Sequence, residues 1–308
     1  MSMIEQNTFH ANGKLLLSAE YFVLDGALAL ALPVRFGQSL NVRSLDTNLQ
    51  WNSKDHKGNS WFDASFHLAD FSIIYTSEQA VGSQLQRILN GLRLQNPDFL
   101  KRIEGVQVET KLEFPRMWGF GSSSSLIAAL AKWANVDPFR LLDDTFGGSG
   151  YDIACAWANG PLLYQRNPTP NFVQIPFDPP FKEQLYFVYL GKKQSSREGI
   201  ARYRALAKQK QLPMAAINAL TMQFLKTNTL EDFEETIVAH EQIIAETIQL
   251  PRAKSLHFAD YWGEIKSLGA WGGDFVLATS QHSTSETLTY FKQKGYSTIF
   301  SYTDLILS

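Results

Sequence analysis

The chain has 308 residues, of which 44% are hydrophobic and 19% charged, as is ordinary for a folded protein of about two domains. Its formal net charge of −2 provides no general attraction to nucleic acid or to an anionic membrane, so neither is an expected partner. The single cysteine, Cys155, excludes an intramolecular disulfide and a cysteine-cluster metal site, and it is typical of a reducing compartment. His240-Glu241 lacks the second histidine that a zincin metalloprotease requires.

Residues 22–34 are mostly apolar and could be mistaken for a targeting sequence. The stretch is too short to span a bilayer. Asp25 interrupts it, and the residues before it lack the basic segment of a signal peptide. We therefore predict a buried core segment in a cytoplasmic protein.

In the first half of the chain, residue patterns predict strands around a few helices. Strict alternation over residues 105–114 predicts a strand with one face buried. Apolar residues at helical spacing predict helices over 78–94 and 123–135. Extended segments are predicted at 14–24, 40–45 and 51–54.

The second half begins with a continuous apolar run at 185–190, which predicts a central strand covered on both faces. The patterns after it predict helices at 196–209, 213–226, 230–249 and 284–294, and strands at 274–279 and 297–302. Prolines interrupt both helix and sheet, so the proline-rich stretch 167–180 predicts a boundary near residue 170. The expected organisation is α+β, with domains 1–170 and 171–308.

The strongest local signal precedes the predicted helix at 123–135 and reads Trp118-Gly119-Phe120-Gly121-Ser122-Ser123-Ser124-Ser125. Glycines allow close approach to a ligand, and the free amides of a helix N-terminus attract phosphate. A glycine turn with a serine helix cap is the alternative. The loop has no P-loop lysine, and Ser124 stands where a Rossmann fingerprint needs glycine.

Three further segments accompany this serine loop, at 13–26, 147–154 and 266–274. In this order the four segments resemble the motifs of the GHMP kinases, a superfamily that includes galactokinase, homoserine kinase, mevalonate kinase and phosphomevalonate kinase. The resemblance extends over nearly the whole chain. It implies an N-terminal domain of the ribosomal protein S5 domain 2 type, which binds ATP, and a ferredoxin-like C-terminal domain.

The resemblance also implies ATP and Mg²⁺ and assigns roles to residues of the four segments. Asp152 matches the catalytic aspartate, with Lys14 beside it, and Ser123 is the candidate Mg²⁺ ligand. The predicted nucleotide-binding residues are Gly119, Phe120, Gly121, Ser122, Ser123, Ser124 and Ser125. The predicted substrate-binding residues of the first and third motifs are Glu20, Gly269, Ala270, Gly272 and Gly273. Taken alone, Asp152 could cap a helix, and Lys14 could be a solvated lysine at a strand end.

The chain departs from the family pattern in several places. Asn12 and Ala19 replace a usual proline and glycine, and Trp271 interrupts the glycines of the third motif. The interval from Ser123 to Asp152 is 29 positions, which shortens the helix that commonly supplies a second magnesium carboxylate. The acidic residues near the end of this interval are Asp143 and Asp144, and solvated charges at a helix end would explain them equally well.

Several details favour phosphomevalonate, in the mevalonate pathway of isoprenoid synthesis, as the acceptor. Glu20-Tyr21 and the segments 149–154 and 272–274 resemble phosphomevalonate kinases. A polar and basic loop after the strand at 185–190 could bind an anionic acceptor through Lys192, Lys193, Ser195, Ser196 and Arg197, although an exposed turn explains it equally well. Mevalonate kinase, a decarboxylase and a non-catalytic metabolite sensor stay open as alternatives. The sequence leaves the oligomeric state undetermined.

Overall fold

A computed structural model describes residues 7–101, 103–192, 196–208 and 211–308. Its contacts divide the chain into two compact units. Unit 1 contains the described residues up to Gly13 together with Phe36–Arg116 and Phe120–Trp157. Unit 2 contains Lys14–Arg35, Met117–Gly119 and Ala158–Ser308. The domain boundary near residue 170 stays a prediction.

Unit 1 is built on a mixed sheet covered by helices. Its strands are β1 (Asn7–Leu16), β2 (Ala29–Leu45), β3 (Asn48–Lys54), β4 (Ser60–Phe66), β5 (Ile73–Thr76) and β6 (Gly105–Leu112). The last residues of β1, 14–16, and the first residues of β2, 29–35, are assigned to unit 2. They lie in the order β5-β4-β3-β6-β2, with β1 on β2 and with β3 parallel to β6. The helices are α1 (Gln79–Gln95), α2 (Ser122–Ala134), α3 (Pro138–Thr145) and α4 (Tyr151–Ala156).

The elements predicted from periodicity occur in unit 1. In β6 the valines, Thr110 and Leu112 are buried, while Gln107 and Glu109 are half-buried. The apolar faces of α1 and α2 join the same core, which includes Leu89 and Ile127. The predicted strand and the two predicted helices are confirmed.

The prediction of an extended segment over 14–24 is wrong beyond Leu16, where β1 ends. Ala19 and Tyr21 have φ angles of 63° and 65°, which no strand accommodates, and Phe22–Asp25 forms a 3-10 turn. The apolar residues of 22–34 are largely buried, as predicted. Among the helices of the described chain, none combines the length and the apolar character that crossing a membrane requires.

Unit 2 contains a second sheet, entirely antiparallel, in the order β10-β11-β9-β12. Its strands are β9 (Leu185–Tyr189), β10 (Ile265–Leu268), β11 (Phe275–Thr279) and β12 (Ile299–Ser301). The start of β2 pairs in addition with β7 (Leu162–Arg166), which pairs with β8 (Pro170–Gln174). The helices are α5 (Ser196–Ala207), α6 (Met214–Phe224), α7 (Leu230–Ile248), α8 (Ala253–His257), α9 (Thr284–Gln293) and α10 (Tyr302–Leu305).

The continuous apolar run predicted as a central strand is β9, which lies between β11 and β12. Its first four residues are buried, because sheet neighbours and packed elements cover both faces. The helices and strands predicted after it are present with ends shifted by at most two residues. The α+β fold class is confirmed.

Candidate active site

The serine loop leads into α2 in unit 1. Gly121, with φ 86°, is the residue before the helix, and no side chain of the described residues caps it. The alternative of a serine cap is therefore wrong. Ser122 is half-exposed and Ser123 is exposed. The first amides of a helix have no acceptor within the helix, so this end is suited to a phosphate group.

Ser124 and Asp152 meet in unit 1. The Ser124 hydroxyl donates a hydrogen bond to Oδ2 of Asp152. The other carboxylate oxygen, Oδ1, accepts from the backbone N–H of Ile153 at 3.1 Å. The residue that caps α4 is Gly150, so Asp152 lies inside the first turn and is not the cap. The structure thus brings the serine loop and the predicted catalytic aspartate together.

Phe120 and Ser125 hold the serine loop in place. The Phe120 ring is fully buried and packs on Phe114 at a centroid distance of 5.5 Å. The Ser125 hydroxyl donates to Oε1 of Gln38 on β2 at 2.8 Å. Because both side chains point into the core, a nucleotide would meet the backbone of these two residues.

Gly119 is the point in unit 2 where three of the predicted motifs meet. The Lys14 ammonium donates to the Gly119 carbonyl oxygen at 3.0 Å. Gly119 has φ 70°, and a Cβ atom there would collide with the carboxylate of Asp274. Asp274 was not among the predicted site residues, although it ends the third motif. Lys14 belongs to unit 2 and Asp152 to unit 1, and their pairing stays a prediction.

Tyr21 joins the third motif to the start of α5 in unit 2. Its hydroxyl oxygen accepts from the backbone N–H of Trp271 at 2.9 Å. Its ring stacks on Tyr203 at 5.6 Å. Gly199 lies so close that a Cβ atom there would be 2.6 Å from the Tyr21 hydroxyl. Burial raises the pKa of Tyr21, so the hydroxyl stays neutral.

The other predicted acceptor-binding residues are in two segments of unit 2. Lys192, Ser196 and Arg197 are exposed, and Ser196 begins α5. Lys193 and Ser195 lie outside the described residues. In the third motif, Gly269 and Gly272 have φ angles of 72° and 91°, and Ala270 is half-buried beside them. Gly273 is buried.

Glu20 lies in the interior of unit 2. Its side chain is fully buried, and the Lys266 ammonium donates a hydrogen bond to Oε1. In this conformation the Glu20 carboxylate faces other side chains and not solvent. The substrate contact assigned to Glu20 stays a prediction.

The donors of unit 1 suit Mg²⁺ bound together with phosphate. Across the described ranges, no group of three or more histidine, cysteine, aspartate or glutamate residues could hold a metal ion. Mg²⁺, however, commonly takes one or two protein oxygens and completes its shell with phosphate and water. Ser123 and Asp152 supply a hydroxyl and a carboxylate of that kind. Asp143 and Asp144 are exposed on α3.

No protein-family model matches the sequence, and no curated protein sequence matches it significantly. Solved structures match over nearly the full length. The Methanococcus jannaschii mevalonate kinase has a TM-score of 0.70 and 15% identity, with 99% of both chains covered. The Streptococcus pneumoniae phosphomevalonate kinase in complex with phosphomevalonate and AMPPNP has a TM-score of 0.69 and 18% identity, covering 96% of this chain and 99% of its own.

A third match is the Lactococcus lactis galactokinase complexed with galactose, at a TM-score of 0.70 and 14% identity, covering 99% of this chain and 94% of its own. The chain has the two-domain α+β fold of the GHMP kinases, which confirms the fold that the resemblance of its motifs implied.

Proposed function

We propose that the chain is an ATP-dependent kinase of a small anionic metabolite, with phosphomevalonate as the first candidate acceptor. The observation that carries the proposal is the hydrogen bond from Ser124 to Asp152 at the start of α2. It joins a phosphate-suited helix end to a carboxylate that can orient an acceptor. The GHMP kinase fold supports the same conclusion.

Phosphoryl transfer depends on positioning and on neutralisation of charge. In the proposed reaction, the amides of the serine loop hold the triphosphate of ATP. Ser123 is the proposed protein ligand of Mg²⁺, which when bound would reduce the negative charge on the phosphates. Asp152 orients the acceptor oxygen and takes its proton where it carries one. That oxygen bonds to the γ-phosphorus as the bond to the β–γ bridging oxygen breaks and ADP leaves.

The proposed acceptor site uses Lys192, Lys193, Ser195, Ser196 and Arg197 together with the turn at 269–273. Cations and hydroxyls of this kind suit a carboxylate or a phosphate. Phosphomevalonate carries both groups. The Glu20-Tyr21 pair and the Gly272-Gly273-Asp274 sequence, which resemble phosphomevalonate kinases, support this choice over mevalonate.

The test is a panel of ATP turnover with mevalonate, 5-phosphomevalonate, homoserine and galactose, in which both ADP and CO₂ are measured. We expect ADP release with 5-phosphomevalonate, without CO₂, and its loss in Asp152→Asn. CO₂ release would indicate a decarboxylase. Binding of ATP or of an acceptor without any turnover would reject the kinase and favour a metabolite sensor.

A further inference from the structure

Four ionisable side chains form a cluster in the interior of unit 2: Glu20, His240, Glu241 and Lys266. Each side chain is completely buried or within 1% of it. They come from three elements, namely the turn after β1, helix α7 and strand β10. We refer to these four residues as the buried cluster.

Lys266 is the centre of the buried cluster. Its ammonium donates to Oε1 of Glu20 and to the backbone oxygen of Ser267, the latter at 3.1 Å. Oε1 of Glu241 is 3.7 Å from the same ammonium and accepts from the backbone N–H of Ser267 at 3.1 Å. One cation is therefore shared by two carboxyl groups.

His240 contributes no second cation to the cluster. Its Nε2 accepts a hydrogen bond from the backbone N–H of Ala19 at 2.9 Å, so this nitrogen carries no proton. Burial and the Lys266 ammonium both hold the pKa of His240 well below its ordinary value. The histidine is neutral and acts as an acceptor for the turn that carries Glu20.

The cluster is electrically neutral only if one carboxyl group is protonated. Oε2 has no hydrogen-bond partner within the described part of the chain in either Glu20 or Glu241. Glu20, however, accepts a hydrogen bond from the Lys266 ammonium, whereas Oε1 of Glu241 is 3.7 Å from it. The carboxyl group of Glu241 is therefore the costlier of the two to ionise in the interior. Burial also raises the pKa of Glu241 to about 8, despite the lowering effect of Lys266. Glu241 is therefore the protonated carboxyl group, and Glu20 and Lys266 form the ion pair.

Two residues of the buried cluster are close in sequence to the two residues, Tyr21 and Trp271, that form a hydrogen bond with each other. Glu20 directly precedes Tyr21, and Lys266 lies on β10, which leads into the turn at 269–273. Just beyond these two residues, the Trp271 amide donates to the Tyr21 hydroxyl. The Glu20–Lys266 pair and the Tyr21–Trp271 hydrogen bond thus both connect the segment that contains Glu20 and Tyr21 to the segment that contains Lys266 and Trp271. We refer to these two contacts together as the tie between the two segments.

We propose that Lys266 is a positioning residue: by binding Glu20 inside unit 2, it holds Tyr21 against the third-motif turn and so sets the shape of the acceptor site. The effect on turnover rests on the proposed kinase function. The tie between the two segments does not depend on that function, and it can be measured without substrate.

The first test is hydrogen exchange of the Trp271 amide in the unliganded protein, for the wild type, Lys266→Met and Tyr21→Phe. We expect exchange to be faster by about tenfold or more in both variants, because local opening no longer has to break the tie. Lys182→Met is the matched control, since it breaks an exposed ion pair of unit 2 with Asp178 and should leave this amide unchanged. A Trp271 amide that exchanges at the wild-type rate in folded Lys266→Met would overturn the proposal.

Removal of one partner from a buried ion pair can prevent folding, because the other charge stays buried. The double variant Glu20→Gln/Lys266→Met has no such charge and keeps a similar volume, so we expect it to fold. Its Trp271 amide should still exchange faster than in the wild type, since neither new side chain can form the ionic contact. If the Trp271 amide of the double variant exchanges as slowly as in the wild type, packing alone holds the two segments together, and the positioning role of Lys266 is rejected.

Kinetics separate positioning from a general loss of structure. In the double variant we expect the KM for the acceptor to rise by about tenfold or more and the KM for ATP to stay within a few-fold. Equal changes in both KM values would contradict a positioning role in the acceptor site. If exchange responds as expected but no acceptor is ever phosphorylated, the tie stands and the proposed kinase function fails.

Discussion

The ammonium of Lys14 donates a hydrogen bond to the backbone oxygen of Gly119 at 3.0 Å, although 105 positions separate the two residues in the chain. On another side of Gly119 lies the carboxylate of Asp274, where a Cβ atom would have to be. The entrance to the serine loop is therefore held between a cation of the first motif and an acid of the third. This arrangement makes glycine necessary at position 119 for two separate reasons, its positive φ and the nearby carboxylate.

Gly119→Ala tests this arrangement. We expect it to weaken ATP binding by about tenfold or more and to lower the melting temperature, since both the φ of 70° and the Asp274 carboxylate oppose a side chain. Gly58→Ala is the matched control, because Gly58 has φ 88° but no described atom within 4 Å of its Cβ position. Nucleotide titration and thermal unfolding measure the two effects. An equal loss of stability in both variants would assign the effect to φ alone.

Asp152→Asn is expected to reduce kcat by about a hundredfold or more while the affinity for ATP stays within a few-fold, as for the loss of a positioned base. Ser124→Ala removes the hydrogen bond to Asp152 and should reduce kcat less, by about tenfold. Asp98→Asn, in an exposed turn of unit 1 outside the predicted motifs, is the control and should have the wild-type rate. A near-normal rate in Asp152→Asn would remove the catalytic role.

We predict that ionisation of Glu241 destabilises the folded protein as the pH rises. Burial raises its folded-state pKa to about 8, above the ordinary glutamate value of about 4.5, so the folded protein holds a proton that the unfolded chain releases. The stabilisation is complete below the unfolded pKa and is lost as the pH rises through about 8. Lys266, Glu20 and Arg252 are the charged groups that act on Glu241. His240 precedes Glu241 in α7, and its Nε2 lies 3.4 Å from Oε2 of Glu20.

The measurement is the melting temperature of the wild type and of Glu241→Gln between pH 6 and pH 9. Glutamine resembles the protonated carboxyl group and cannot ionise, so we expect a smaller decrease in the variant. His240 acts in the opposite direction, because its lowered pKa costs stability only as the pH falls below its ordinary value of 6.5. Parallel curves for the two proteins would show that Glu241 is not the group that titrates.

Arg197→Ala tests the predicted acceptor site. Arg197 is exposed in the first turn of α5, so its removal should affect folding little. We expect the KM for an anionic acceptor to rise more than the KM for ATP, since a guanidinium group binds carboxylate or phosphate directly. Arg204→Ala, later on the same helix and also exposed, is the control. If the two variants have equal acceptor KM values, α5 does not bind the acceptor through Arg197.

Local patterns were sufficient for the elements whose burial is periodic. The alternation in β6 and the helical spacing in α1, α2 and α7 predicted these elements to within a few residues. The prediction was poorer for β2, of which only 40–45 was recognised. Its first six residues, Ala29–Val34, are all buried, so they show no alternation and give no signal of period two.

The motifs located the candidate site because glycine, serine and aspartate are required there for local reasons: positive φ, free helix amides and a short acidic side chain. What the tertiary structure alone decided is which of the motif residues contact one another. Glu20, whose substrate contact stays a prediction, pairs with Lys266 across 246 positions of sequence. A glutamate next to an aromatic residue gives the same local sequence pattern whether its carboxylate faces solvent or a buried ammonium. Only the packing of α7 and β10 around the turn at Ala19 creates the low-polarity interior in which that charge must find a partner.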